Sequence, residues 1–225
     1  MPASVIVNRA GQALVALPER ALWWSERQVL FIADPHFGKA AAFRANGLPV
    51  PSGTTSATLG RLENLLVAYP VTRLVVLGDF LHARAARSAS VLTALREWRA
   101  RWPALQCTLV RGNHDSHAGD PPEELDFEVV DEPHREGPID FWHIPPAADQ
   151  VETGRYALAG HVHPAYVLRT RGSGRLRLPC FDFGARVGVL PAFGEFTGGY
   201  EITPGPGHQL CLVGDGEVFV LPART

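Results

Sequence analysis

The chain has 225 residues, 46% of them hydrophobic, and a formal net charge of −2. This size and composition predict one large domain over residues 1–225 with a sizeable core. A net charge near zero excludes a globally basic nucleic-acid binder, so any contact with a polyanion has to come from a local patch.

No apolar run approaches the roughly 18 residues needed to span a bilayer, and the first residues lack the basic and apolar regions of a secretory leader. We therefore expect a cytoplasmic protein with no membrane partner. The three cysteines, Cys107, Cys180 and Cys211, are odd in number and far apart, which predicts neither a disulfide framework nor a cysteine zinc site.

Three apolar runs in the first half of the chain predict buried strands. They cover residues 29–33, 74–77 and 107–110, and each ends abruptly at polar or glycine residues. Apolar residues at helical spacing fill the segments between them, 54–70 and 88–103, and each pattern stops at a proline. Strand, helix, strand, helix, strand is the α/β signature, and such sheets hold their sites at the carboxyl ends of the strands.

The second half of the chain has shorter strand candidates and more turns. The run 156–159 leads into "GHVHP", and "IDFWHIPP" is a further candidate strand that carries His143. The segment "LCLVGDGEVFVLP" predicts a hairpin across Asp215-Gly216.

The two histidines of "GHVHP" are separated by one residue. In a strand this spacing points His161 and His163 to the same face. We expect Gly160 to permit a close approach in front of them and Pro164 to end the strand.

Polar side chains gather at these strand ends along the whole chain. Oxygen and nitrogen donors of this kind suit Mn, Fe or Zn, and no thiolate is offered. A shared carboxylate flanked by imidazoles holds two metal ions roughly 3.5–4 Å apart for in-line attack on phosphorus. The candidate residues are Asp34, His36, Asp79, His82, Asn113, His114, Asp115, His143, His161 and His163.

Each fragment taken singly also has a structural interpretation. A Gly-Asp pair is often an ordinary turn, as we predict at Gly214-Asp215. The run Asn113-His114-Asp115 is also typical of a loop whose side chains bond its own backbone. Paired histidines are often packed or exposed without a metal. The prediction of a two-metal site therefore rests on these fragments occurring together and in this order along the chain.

In that order, "DPHFG", "GDFLH", "GNHD" and "GHVHP" resemble the calcineurin-like metallophosphoesterase superfamily over about residues 29–164. The resemblance implies an α/β sandwich, in which two mixed β-sheets pack face to face with helices on both outer faces. It also implies a dinuclear metal site that activates water to hydrolyse a phosphoester. The first metal would take Asp34, His36 and His163, the second Asn113, His143 and His161, and Asp79 would bridge them.

Three histidines between "GNHD" and "GHVHP" are candidates for the second metal. We select His143 because it follows an apolar stretch, although "WHIP" stands where the superfamily often has His-Gly. His134 and His117 remain alternatives.

The resemblance also suggests roles for residues outside the ligand set. His114, which the pattern leaves unligated, would face the scissile phosphate as an acid or charge stabiliser, and Asp115 would orient it. His82 follows the bridging Asp79 by three residues, so it either reaches the leaving group or packs beside the site.

Further segments narrow the resemblance. "GLPVPSGTT" followed by "TLGRL", "GDFLHAR" and "LPAFGEFTGG" are similar to the ligase-associated DNA damage response endonucleases, small bacterial metallophosphoesterases. With these segments the resemblance reaches nearly the whole chain. It implies a Mn-dependent phosphodiesterase that acts in repair on single-stranded or structured DNA, associated with a DNA ligase and a helicase.

Several basic and aromatic residues near the motifs are candidates for nucleic-acid contacts. Lys39 and Arg84 lie closest in sequence to the metal motifs and are candidate phosphate ligands. Phe37 and Phe193 either stack on bases or pack in the core. The arginines at 96–101 are predicted on a solvated helix face.

Two other functions remain open from the sequence. One is hydrolysis of nucleotides or other small phosphoesters, because the superfamily fold serves many substrates. The other is a non-catalytic scaffold with the same fold, although the intact His114 and the full ligand set argue against it.

Overall fold

The computed structural model describes residues 4–169 and 174–221. In these ranges the strands form two mixed sheets. The first sheet contains β1 (Val5–Arg9), β2 (Gln12–Ala16), β3 (Leu22–Trp24), β4 (Val29–Ala33), β5 (Arg73–Leu77), β6 (Gln106–Val110) and β7 (Phe127–Val130). The second contains β8 (His134–Glu136), β9 (Ile139–Phe141), β10 (Tyr156–Ala159), β11 (Pro164–Arg169), β12 (Arg175–Phe183), β13 (Val187–Val189), β14 (Tyr200–Glu201), β15 (Gln209–Gly214) and β16 (Glu217–Leu221). The helices are α1 (Lys39–Ala45), α2 (Thr54–Ala68), α3 (Ala89–Arg101) and α4 (Asp115–Ala118).

The first sheet follows chain order from β1 to β7. Strands β1 to β4 are antiparallel, whereas β4 to β7 are parallel. Ala33, Leu77 and Val110 lie side by side at the carboxyl ends of the three central strands. The predicted strand at 29–33 is confirmed, and the other two each begin one residue earlier than predicted.

The central strands are apolar throughout because both of their faces are buried. In β4, Phe31 and Ala33 face the core between the two sheets, whereas Leu30 and Ile32 pack under the helices. Leucines of α2 and α3 cover that outer face, as their helical spacing predicts.

The second sheet completes the sandwich. Its strands β9, β10 and β12 contribute Phe141, Leu158, Phe181 and Phe183 to the core that they share with the first sheet. Strands β9 and β10 run parallel, so their carboxyl ends meet at the same edge. The predicted strand 156–159 and the hairpin across Asp215-Gly216 are both confirmed.

The helices depart from one part of the predicted architecture. The two mixed sheets are confirmed, but the expected helices on both outer faces are wrong for the second sheet. Over the described residues that follow α4 there is no α-helix, and side chains of the second sheet's own strands form a small apolar cluster around Cys180, Leu210 and Leu212. None of the helices in the described ranges is long and apolar enough to cross a bilayer.

Candidate metal centre

Five strand ends converge at one edge of the sandwich. In the first sheet, Asp34 follows β4, Asp79 follows β5 and Asn113 follows β6. In the second sheet, His143 follows β9 and His161 follows β10. Because these strands are parallel within each sheet, their polar continuations are delivered to one place.

The backbone at this edge is held in an uncommon conformation. Asp34, His36, Asp79, His161 and His163 all have positive φ, between 44° and 67°. Non-glycine residues rarely adopt this left-handed region, and clusters of them are found at functional sites.

This conformation corrects the interpretation of "GHVHP" as a strand. Strand β10 ends at Ala159 and β11 begins at Pro164, so His161 and His163 lie in the connecting loop and Pro164 does not end a strand. Left-handed turns at both histidines aim the imidazoles, where strand alternation was expected to do so. Both nevertheless reach the same cluster of side chains.

Two glycines allow the loops to approach each other. A Cβ on Gly78, which has φ +81°, would lie 1.9 Å from Nδ1 of His143. A Cβ on Gly160 would lie 2.7 Å from Oδ2 of Asp34 and 2.7 Å from the carbonyl oxygen of Leu77. The close approach expected at Gly160 is therefore present, and any side chain at either position would displace the site.

One group of four donors consists of Asp34, His36, Asp79 and His163. Nε2 of His163 lies 3.5 Å from Oδ1 of Asp34, and Nε2 of His36 lies 3.6 Å from Oδ2 of Asp79. The four side chains each offer an atom within 4.8 Å of the others.

A second group of donors shares Asp79 with the first. Nε2 of His143 lies 3.5 Å from Oδ1 of Asp79, 2.8 Å from Oδ1 of Asn113 and 3.1 Å from Nδ1 of His161. Asp79 thus belongs to both groups, as a bridging carboxylate requires.

The hydrogen bonds around His143 and Asp34 indicate that a cation fits between the donors. Nδ1 of His143 lies 3.1 Å from the carbonyl oxygen of Leu77, which only accepts, so this nitrogen carries a proton. In the tautomer that binds a metal, Nε2 presents a lone pair toward the acceptor oxygen of Asn113, a contact that a cation between them would satisfy. Oδ1 of Asp34 and Nε2 of His163 are buried and have no hydrogen-bond partner within residues 4–169 and 174–221.

Burial and neighbouring positive charge favour the neutral, metal-binding form of His36 and His161. Burial, aided by the positive charge of Lys39, lowers the pKa of His36 far below its ordinary value. Burial and the neighbouring His143 also lower the pKa of His161. Burial raises the pKa of Asp79, although His143 opposes that shift. Neutral imidazoles and buried carboxylates are the donor set that binds divalent metals without excess negative charge.

His114 and His82 stand beside these donors. Nδ1 of His114 lies 2.8 Å from the carbonyl oxygen of His82, so it donates, and Nε2 faces Oδ2 of Asp79 at 4.0 Å. The two rings stack, with centroids 5.2 Å apart, and both lie edge-on to His36. Burial and the charge of Lys39 lower the pKa of His82 to about 4, so it is neutral at physiological pH.

Asp115 does not orient His114, contrary to the expectation from the sequence. Its buried carboxylate accepts backbone N–H groups from Phe80 (2.9 Å), Leu81 (3.4 Å) and Gly112 (2.9 Å). These amides follow β5 and β6, so Asp115 joins the turns that present Asp79 and Asn113. The carbonyl group of His82, and not Asp115, holds the imidazole of His114.

The three candidate histidines for the second group occupy different places. His143 contacts Asn113 and His161, as described above. His134 lies in β8 with its ring 5.6 Å from that of Phe141. His117 is exposed, and its Nδ1 lies 2.9 Å from the carbonyl oxygen of Asn113. The geometry therefore favours His143.

Sequence reasoning missed Glu132. Its Oε2 accepts the backbone N–H groups of His143 (2.6 Å) and Ile144 (2.9 Å), and so fixes the "WHIP" loop. No motif marks this glutamate, since its role depends on where the loop after β7 folds back.

The two candidate phosphate contacts, Lys39 and Arg84, have different surroundings. Lys39 begins α1, and the carboxylates of Asp34 and Asp79 partly offset the burial that lowers its pKa. Arg84 is exposed and donates to the carbonyl oxygen of His117 (3.2 Å), beside the α4 turn.

Other basic and aromatic candidates belong to the fold. Phe37 and Phe193 are both buried in the core, which excludes base stacking in this conformation. Arg96 and Arg101 are exposed in surface ion pairs, as predicted. Arg99 is buried and bonds the carbonyl oxygen of Leu125 (2.8 Å), so its assignment to a solvated face was wrong.

Comparison with known families identifies the class of this chain. The model of the calcineurin-like phosphoesterase family matches residues 27–182. The chain belongs to the calcineurin-like phosphoesterase family. This phosphoesterase is therefore an enzyme, a metal-dependent hydrolase of phosphoester bonds, as the sequence predicts.

Comparison with solved structures adds a close relative. The crystal structure of the Pseudomonas putida nuclease MPE is 45% identical to this phosphoesterase, with a TM-score of 0.84, and the match covers 97% of this chain and 100% of that one. A protein of unknown function from Aquifex aeolicus, AQ665, is 23% identical over 65% of this chain and 82% of that one, with a TM-score of 0.37, and no inference rests on it. No curated protein matches at the significance required.

Proposed function

We propose that this phosphoesterase is a Mn-dependent phosphodiesterase that cleaves single-stranded or structured DNA by two-metal activation of water. The observation that carries the proposal is the pair of donor groups that share Asp79 at the converging strand ends. A phosphodiester needs positive charge on both its attacked and its leaving oxygens, and two adjacent cation sites supply it.

The proposed ligands follow from the two groups. Oxygen and neutral imidazole donors suit Mn, and Fe or Zn are also compatible with them. When bound, two divalent cations lower the pKa of water and offset the charge of the phosphate. Asp34, His36 and His163 would hold one cation, Asn113, His143 and His161 the other, and Asp79 both.

His114 is the proposed catalytic residue outside the ligand set. The carbonyl group of His82 fixes its Nδ1–H, which leaves Nε2 directed toward Asp79 and the open side of the site. From there the ring, when Nε2 is also protonated, can donate a hydrogen bond to the phosphate or a proton to the leaving oxygen. His82 stacks on this ring and orients it through its own carbonyl group. We propose that Lys39, at the start of α1, attracts the phosphate.

DNA is the proposed substrate because the solved relative at 45% identity is described as a nuclease. The resemblance to ligase-associated repair endonucleases supports the same substrate and a cytoplasmic repair role beside a DNA ligase and a helicase.

Metal content and substrate range test the proposal together. We expect the purified protein to bind two Mn ions by elemental analysis and to hydrolyse a generic phosphodiester and single-stranded, hairpin or circular DNA. In Asp79→Ala, bound metal is lost and hydrolysis falls by about a thousandfold. Asp215→Ala is the matched control, because Asp215 also follows glycine and has φ 50°, but lies in a hairpin turn away from the site.

Three outcomes would contradict parts of this proposal. Cleavage of nucleotides without cleavage of DNA would replace the substrate with a small phosphoester. Absence of bound metal together with absence of activity would indicate a scaffold. Undiminished hydrolysis by Asp79→Ala would exclude the two-metal assignment itself.

A further inference from the structure

A cavity of about 220 Å³ opens beside the candidate metal centre. His163 lines it on one side, and the turn between β2 and β3 and the segment 195–199 form other walls. Because His163 also belongs to the first donor group, the cavity begins where a scissile phosphate would lie.

Arg20 projects from the turn between β2 and β3 into the lining of this cavity. The turn is closed by hydrogen bonds from Leu17 to Ala21 (2.9 Å) and from Arg20 back to Leu17 (3.1 Å). Arg20 has φ +65°, a conformation that favours glycine or asparagine over a long side chain. The turn itself therefore does not explain why arginine stands here.

The guanidinium group of Arg20 has no bound partner within the described part of the chain. The nearby carboxylate of Glu195 is engaged by Arg61, which also donates to the carbonyl oxygen of Phe193 and lies over its ring. Burial, together with the charge of Arg61, lowers the pKa of Arg20. A half-buried cation without a partner is unfavourable unless a ligand completes it.

Other donors line the same cavity. The hydroxyl group of Thr197 is buried and has no hydrogen-bond partner among the described residues. Arg177 stands at the wall from β12, where it donates to the carbonyl oxygen of Gly199 (3.3 Å). An unpaired guanidinium and an unpaired hydroxyl around one cavity are the groups that bind a phosphate.

We propose that this cavity binds the phosphate next to the scissile one on a single nucleic-acid strand, with Arg20 as its principal ligand. The inference rests on the proposed DNA substrate and specifies how the strand is held. The guanidinium fork matches the oxygens of one phosphate, and a neighbouring cationic site tracks the backbone without reading its sequence. Arg20 would hold a phosphate that is not cleaved and so position the strand, and a small diester with a single phosphate lacks the group that Arg20 binds.

Kinetics with two substrates test the inference in manganese-containing buffer. Arg20→Gln is compared with the wild type on an oligothymidylate and on bis(4-nitrophenyl) phosphate, which has no second phosphate. We expect kcat/KM for the oligonucleotide to fall about 10- to 100-fold, as for the loss of one charged hydrogen-bonded contact. Hydrolysis of the small diester stays unchanged. The slope of log kcat/KM against log salt concentration falls by about 0.7, the value of one contact to a single strand.

Two further variants separate this role from a structural one. Arg135→Gln removes the same charge from an exposed ion pair with Glu152 and should leave both substrates and the salt slope unchanged. Arg20→Gly suits the positive φ, so we expect an unchanged or raised melting temperature together with the loss of oligonucleotide hydrolysis.

Different results overturn different statements. Wild-type rates on the oligonucleotide in Arg20→Gln would refute the phosphate contact. An equal loss on both substrates, or a lowered melting temperature in Arg20→Gly, would show that Arg20 serves the metal centre or the fold. A wild-type protein that hydrolyses the small diester but not the oligonucleotide would refute the DNA substrate instead.

Discussion

Residues at the site have two different roles: some are donors of the candidate metal centre, and others hold the turns that carry those donors. Asp34, Asp79 and the imidazoles contribute to the two donor groups, whereas the buried carboxylate of Asp115 accepts hydrogen bonds from the backbone amides of Phe80, Leu81 and Gly112. Asp115 is an aspartate like Asp34 and Asp79 and is adjacent to His114, but it fixes the turns and does not touch the reacting groups.

Replacing Asp115 tests this division. In Asp115→Asn, one carboxylate oxygen becomes an NH₂ group that faces backbone donors, so we expect the free energy of unfolding to fall by about 1–3 kcal/mol. Metal affinity falls with it, because the turns that carry Asp79 and Asn113 lose their shared anchor. Urea unfolding and metal titration measure both effects.

The control for this variant is Asp131→Asn, which breaks an exposed ion pair with Arg111 and should cost less than about 1 kcal/mol. A fully stable Asp115→Asn protein that binds metal but lacks activity would restore the direct catalytic role expected from the sequence.

Glycine at position 78 gives a second prediction at the residue scale. In Gly78→Ala, the new Cβ clashes with the ring of His143 in addition to the strain of a positive φ. We expect a loss of about 3 kcal/mol or more in the free energy of unfolding. Gly11→Ala has the same sign of φ, +75°, but open space around the Cβ, so it should cost only about 1–2 kcal/mol. Equal losses in thermal or urea unfolding would mean that the contact with His143 is unimportant.

Individual strands and helices were the most predictable level of the structure. Strands β4 and β10 have the predicted bounds because a strand buried on both faces is apolar at every position and stops at the first polar or glycine residue. The histidine loop after β10 was less predictable, because left-handed turns at His161 and His163 leave no signal in an alternation pattern.

Helix α2 gives a prediction at the scale of elements. Leu62 is buried between the helix and the first sheet, so Leu62→Ala leaves a cavity there and lowers the free energy of unfolding by about 2–5 kcal/mol. Val67 lies on the same helix with 78% of its surface exposed, and Val67→Ala should change stability by less than about 0.5 kcal/mol. Similar losses in chemical denaturation would indicate that α2 does not pack as described.

At the scale of the whole molecule, one core joins the two sheets. Phe31 of the first sheet packs edge-on against Phe141 of the second, with ring centroids 5.0 Å apart. The site lies above this core, so its geometry depends on how the sheets are stacked.

We therefore expect the chain to unfold in a single cooperative transition. Four of the five tryptophan residues, including Trp24 and Trp98, lie in the first sheet or in and directly after α3, and Trp142 follows β9 of the second sheet. Fluorescence therefore reports mainly on the first sheet, whereas circular dichroism reports on both sheets. Coincident melting curves by fluorescence and circular dichroism would support one domain over residues 1–225. Two separated transitions would show that the sheets fold independently.

The sequence by itself determined the strand ends, the order of the motifs and the family, because these depend on apolar runs and on residue types that neighbour each other in the chain. Tertiary structure decided how the histidines are aimed, what Asp115 and Glu132 hold, which face carries helices, and that Arg20 finds no partner in the part of the chain that the structure describes. Each of these depends on contacts between segments far apart in sequence, and the pattern of neighbouring residues does not show which distant segments come into contact. The site depends on both: local sequence pattern sets where each strand ends, and contacts between distant segments bring together the ends of β4, β5, β6, β9 and β10.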